Sequence, residues 1–266
     1  MLDFDDTGSG DPLVLIHGWG TSRMIWQSVR PLLGDRRVIA IDVPGFGRSP
    51  AAGPGFELEE VARAIWRGLP EQGPVTLVGH SLGGALALMA STLEPARTSR
   101  LVLCAPAGLQ PKPAFAAAAV APLGALTTGL RRQVTPLAST QWGRRVLLGA
   151  TTLGDSVSQD DVVEMAMASA GATRLARSLQ AVVAADLRPL LVQAPRELGV
   201  LFGTHDRVIR PATADVIRAA RPDAVFELLP RTGHVPMMER PQAFAAVLRQ
   251  LLTRLDDVHT LATPRP

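Results

Sequence analysis

Ser81 lies in Gly79-His80-Ser81-Leu82-Gly83, between the apolar run Val75-Thr76-Leu77-Val78 and a run of small residues over 84–91. A strand, a turn and a helix in that order put a hydroxyl at a corner tight enough to strain the serine backbone. A side chain at Gly79 or Gly83 would crowd the neighbouring chain there. A serine held this way can act as a nucleophile once a base takes its proton. The five-residue pattern alone is an ordinary glycine turn, and the flanking strand and helix carry the chemical reading.

Such a nucleophile needs a base, an acid to orient the base, and donors for an oxyanion, each from a strand end. Leu13-Val14-Leu15-Ile16 has the continuous apolar character of a buried strand and breaks at His17-Gly18-Trp19-Gly20. The Trp19 backbone N–H is the first expected oxyanion donor and that of Leu82 the second, each worth about 3 kcal/mol if typical of such donors. Leu198-Gly199-Val200-Leu201-Phe202 is another strand, and Gly203-Thr204-His205-Asp206 follows it, making Asp206 the orienting acid. After Val225-Phe226-Glu227-Leu228-Leu229 comes Arg231-Thr232-Gly233-His234, making His234 the general base. Alone, Asp206 reads as a loop acid or helix cap and His234 as a surface histidine. The order Ser, Asp, His, each just past a strand, selects the catalytic reading.

The elements that must hold these residues alternate as a doubly wound, mostly parallel α/β sheet requires. Val38-Ile39-Ala40-Ile41 and Leu101-Val102-Leu103-Cys104 are strands, and helices are expected over 57–69, 212–220 and 241–255. In the segment 42–49 the glycines serve a turn and Asp42 a local hydrogen bond, so it reads as scaffold. From about 109 to 195 the alternation stops and helical patterns dominate, with helices expected over 141–148, 160–170 and 173–185 and Ser158 as an N-cap.

The chain has 266 residues, 47% of them hydrophobic, enough for one large core carrying an insertion. With 27 basic against 24 acidic residues the net charge is only +3. The arginines, including the pairs at 131–132 and 144–145, are scattered, which argues against a nucleic-acid partner. Cys104, the one cysteine, reads as a small buried hydrophobe. Residues 113–130 carry no charge, but alanine richness and the breaks at Pro122 and Gly124 argue against a membrane span. The acidic first residues lack the pattern of a secretory signal, so a cytoplasmic location is expected. Tyrosine is absent, so no phenol can serve as donor or acid.

Taken jointly, these motifs resemble the α/β-hydrolase fold superfamily, in its branch of small cap-bearing serine hydrolases and carboxylesterases, over nearly the whole chain. The resemblance implies a core of residues 1–108 and 196–266 and a helical cap, residues 109–195, inserted after the sixth strand. The apolar face of that cap would roof the pocket and favour a hydrophobic acyl or alcohol group. Trp19 in the oxyanion loop, followed by Trp26 and the 42–49 segment, is similar to the branch that includes the biotin-pathway carboxylesterases. Ala105-Pro106-Ala107-Gly108-Leu109 is similar to carbon–carbon bond hydrolases of aromatic ring cleavage, for which Arg174 or Arg177 could supply a cationic subsite. A receptor-like member of the fold is a further reading. Family members place some thirty residues before the oxyanion loop where this chain has sixteen, so the first strand is expected to be missing or very short. The expected chemistry is two-step acyl transfer on a small-molecule ester, with no metal or organic cofactor.

Overall fold

Strand residues that alternate between two apolar layers form the centre of the molecule. The computed structural model describes residues 1–110 and 157–262, with a few positions between 136 and 143. The uncharged stretch 113–130, the arginine pairs and most of the helix expected over 141–148 lie outside the described residues.

The strands are β1 Phe4–Thr7, β2 Pro12–Ile16, β3 Arg37–Ile41, β4 Val75–His80, β5 Thr98–Cys104, β6 Leu198–Gly203 and β7 Val225–Leu229. They form one sheet in the order β1-β3-β2-β4-β5-β6-β7, parallel throughout except for β1 against β3. The helices are α1 Leu58–Gly68, α2 Leu82–Leu93, α3 Gln159–Gly171, α4 Leu175–Ala184, α5 Thr213–Ala220, α6 Pro236–Glu239 and α7 Pro241–Ala262. On β2, Val14 and Ile16 face a core layer shared with α1, α2 and α5, whereas Leu13 and Leu15 face a layer shared with α7. Period-two alternation on a sheet covered on both faces produces the continuous apolar runs.

β1 has four residues and closes one edge of a seven-stranded sheet, and no strand precedes it among the described residues. Helices α3 and α4 lie between β5 and β6 in the chain, after the fifth described strand rather than a sixth. The expected count of six included one leading strand that the described residues do not contain. Ser158 caps α3 as anticipated, its side chain accepting from Asp161 N–H. Two 3-10 turns, Arg23–Trp26 and Arg30–Leu33, and the edge strand β1 had no clear periodic signal.

Parallel strands have their carboxyl ends at one edge, and the chain leaves β2 toward β3 on one side but enters β4 on the other. The crevice at that reversal is where open α/β sheets place their sites. Ile16 pairs with Gly79 across it, so the loop after β2 and the corner after β4 are neighbours.

Candidate active site

Ser81 has φ 53° and ψ −115°, a left-handed conformation unusual for a residue with a Cβ. Its N–H donates to the Cys104 carbonyl (3.0 Å), and its own carbonyl accepts from Gly84 and Ala107 (3.0 Å each), so both neighbouring elements hold the strained residue. A Cβ on Gly79 would lie 2.2 Å from the Gly83 carbonyl oxygen, and one on Gly83 would lie 2.2 Å from the Ile16 carbonyl oxygen. The glycines therefore let helix α2 start directly against β2 and β4. Ser81 does not use its hydroxyl to cap α2.

Asp206, three residues past β6, and His234, five past β7, meet as expected: Nδ1 of His234 lies 2.7 Å from Oδ2 of Asp206. The other carboxylate oxygen accepts from the N–H groups of Val208 (2.8 Å) and Ile209 (2.9 Å). A carboxylate so engaged accepts from the ring, which places the proton on Nδ1 and leaves Nε2 as the basic nitrogen. Both side chains are buried. Ser81 Oγ has no hydrogen-bond partner among the described residues, so the Asp–His half is made and the Ser–His bond is not. Catalytic bonds of this kind commonly tighten only with substrate present. The elbow nevertheless abuts His234: the ring of His80 is 4.8 Å from that of His234, centroid to centroid.

The loop after β2 lies against the elbow, since a Cβ on Gly18 would be 3.2 Å from Ser81 Cβ. His17 fixes that loop. Its Nε2 accepts from Val43 N–H (2.9 Å) and its Nδ1–H donates to the Gly18 carbonyl (2.8 Å). Burial pushes its pKa down to about 4, so the ring stays neutral, as a nitrogen facing an N–H must. Asp42, buried, accepts from the N–H groups of Arg23 (2.8 Å) and Arg48 (2.9 Å) and pairs with the Arg23 guanidinium. That is the scaffold role read from the sequence.

Residues 173–175, at the start of α4, touch the same loops. Trp19 Nε1 donates to the Leu175 carbonyl (2.8 Å), and Thr173 N–H donates to the Gly45 carbonyl (2.9 Å). Arg174 packs where a Gly45 side chain would be and donates to the Gly53 carbonyl (2.9 Å), so it sits in this seam, while Arg177 is exposed. Glu239 received no role from sequence reasoning. It is buried, and its carboxylate accepts from Gly233 N–H (3.0 Å) and Val235 N–H (3.2 Å), on either side of His234. The signal was an acid five residues after the histidine, within an otherwise apolar stretch. Among the described residues no cluster of three or more His, Cys, Asp or Glu is placed to hold a metal ion, and no helix is long and apolar enough to cross a membrane.

Comparison with known proteins agrees with this architecture. The alpha/beta hydrolase family matches residues 13–247. A pimeloyl-acyl-carrier protein methyl ester esterase of Cronobacter sakazakii is 30% identical over 260 residues, covering 94% of this chain and 96% of that protein. The enzyme of the same name from Methylococcus capsulatus is 29% identical over 262 residues, covering 94% and 98%. Among solved structures, a thermophilic esterase from Thermogutta terrifontis with malate bound aligns with a TM-score of 0.75 at 23% identity, covering 96% of this chain and 93% of that one. That last likeness concerns the fold. The family match spans both the elbow and the Asp–His pair, and the chain belongs to the alpha/beta hydrolase family and is a hydrolase.

Proposed function

We propose that this chain is a serine carboxylesterase, cleaving a carboxylic ester of a small, apolar substrate through an acyl-enzyme. The observation that carries the reading is the 2.7 Å bond from His234 Nδ1 to Asp206 Oδ2, beside a serine held at φ 53° with its hydroxyl uncommitted to helix capping. His234 Nε2 takes the Ser81 proton as Oγ attacks the ester carbonyl. Asp206 then stabilises the imidazolium. The backbone N–H groups of Trp19 and Leu82 receive the oxyanion. The imidazolium gives its proton to the departing alkoxide, and water, deprotonated by the same ring, releases the acid. Residues 109–195 act as a cap over this centre, a role supported by the bonds that join Trp19 and Gly45 to residues 173–175. The relatives named for pimeloyl-acyl-carrier protein methyl ester extend the candidates beyond small molecules to the methyl ester of a carrier-linked acyl chain.

The test is hydrolysis of p-nitrophenyl esters of increasing acyl length, of that carrier-linked methyl ester, and of a coloured ring-cleavage diketo acid. Turnover of at least one ester, its loss in Ser81→Ala by a factor of about 10³ or more, and an unchanged diketo-acid absorbance are expected. Ester turnover surviving in Ser81→Ala, or cleavage of the diketo acid alone, would overturn the reading.

A further inference from the structure

The imidazole of a base that shuttles a proton must turn about its own side-chain torsions while its main chain stays fixed. A misplacement of about 1 Å can cost about a hundredfold in rate. Three polar groups of the main chain surround the His234 side chain, and all three are bonded to buried side chains from other places in the sequence. Glu239 Oε2 accepts from Gly233 N–H (3.0 Å), Glu239 Oε1 accepts from Val235 N–H (3.2 Å), and the His234 carbonyl lies 2.7 Å from His80 Nε2. The proposed acyl transfer itself employs neither Glu239 nor His80.

We propose that Glu239 and His80 are positioning residues that clamp the main chain of His234 from both sides, Glu239 through the flanking amides and His80 through the carbonyl. The inference rests on the reading of His234 as the base. A carbonyl can only accept, so His80 carries its proton on Nε2. Its Nδ1 is then an acceptor, buried and without a partner among the described residues, 2.8 Å from where a Gly18 side chain would begin. Burial keeps this ring neutral by pushing its pKa well below the usual histidine value. Leaving a buried ring nitrogen unbonded is unfavourable, and the bond to the His234 carbonyl offsets it. Because His80 is the residue before Ser81, that bond also fixes the distance between the nucleophile's elbow and the base's loop. Glu239 stands on the four-residue helix α6, whose last N–H returns to the Val235 carbonyl (3.0 Å), so the carboxylate is itself held. Two oxygens meeting two separate amides cannot be reproduced by an amide side chain, which has one acceptor and would turn its NH2 toward an N–H.

Glu239→Gln therefore tests the clamp with almost no change of shape. Steady-state hydrolysis of p-nitrophenyl butyrate is compared for the unsubstituted chain, Glu239→Gln and His234→Ala, and amide hydrogen exchange is followed by NMR in the unsubstituted chain. The expected result is a fall in kcat of about 10- to 100-fold in Glu239→Gln with KM within about twofold, since only the placement of the base is disturbed. The Gly233 and Val235 amides should exchange far more slowly than that of exposed Arg207. An unchanged kcat in folded Glu239→Gln would overturn the clamp, as would a loss confined to KM. Should Glu239→Gln fail to fold, exchange decides: Gly233 and Val235 amides as fast as Arg207 overturn the proposal, and protected ones support it. Full activity in His234→Ala would instead remove the reading of His234 as the base, and the clamp with it.

Discussion

Two buried histidines, His17 and His80, are held neutral for reasons of packing as well as solvation. Val43 N–H points at Nε2 of His17, so a proton there would face another hydrogen, and burial lowers the His17 pKa from 6.5 to about 4 and that of His80 well below 6.5. Both rings ionise normally when the chain unfolds. Below about pH 6.5 the unfolded chain thus binds more protons than the folded one, and stability falls as the pH drops toward 4. The stability from neutral burial is fully present above the unfolded value. Denaturant unfolding at pH 7 and pH 5 should show a loss of roughly 2 kcal/mol from His17 alone. His17→Gln should remove that share of the pH dependence. An identical pH dependence in His17→Gln would show that His17 titrates normally in the folded chain. The sequence makes Ser81, Asp206 and His234 legible because each follows a recognisable strand. Glu239 and the roles of His17 and His80 are not legible, since their importance lies in main-chain bonds to residues brought close only by folding.

At the scale of elements, the elbow is the best-specified part of the chain. Its glycines answer a physical demand, with both Gly79 and Gly83 so close to neighbouring backbone that any Cβ collides. Gly83→Ala would place a methyl 2.2 Å from the Ile16 carbonyl oxygen and 2.5 Å from that of His17. Separating β2 from the start of α2 also moves the loop after β2, which carries the proposed oxyanion donor Trp19. A loss of more than about 2 kcal/mol in denaturant unfolding is expected, since overpacking against backbone has no flexible side chain to yield. Unfolding within about 0.5 kcal/mol of the unsubstituted chain would contradict this packing. The strands were readable to within a few residues because full burial makes them continuous apolar runs. Edge strand β1 was harder to read, because its Asp5 and Asp6 face solvent and Arg23, Arg30 and Arg37. The contact between the loop after β2 and α4 was hidden for a different reason: the Trp19 to Leu175 bond joins residues 156 positions apart, and no local pattern announces it.

Across the whole molecule, the parallel sheet brings four distant segments to one edge: the loop after β2, the elbow after β4, and the loops after β6 and β7. The reversal of strand order between β2 and β4 sets the loop after β2 beside Ser81. The adjacency of β6 and β7 sets Asp206 beside His234. The architecture therefore brings the loops that carry residues 81, 206 and 234 to one edge despite their separation in sequence. The central claim is that Ser81 takes up the acyl group, and the most direct measurement is mass spectrometry of the chain quenched in acid during turnover of a p-nitrophenyl ester. The account predicts a mass increase of one acyl group, carried by the peptide containing Ser81 and absent in Ser81→Ala. An acyl group found on another residue, or turnover with no covalent adduct under any quench time, would contradict it.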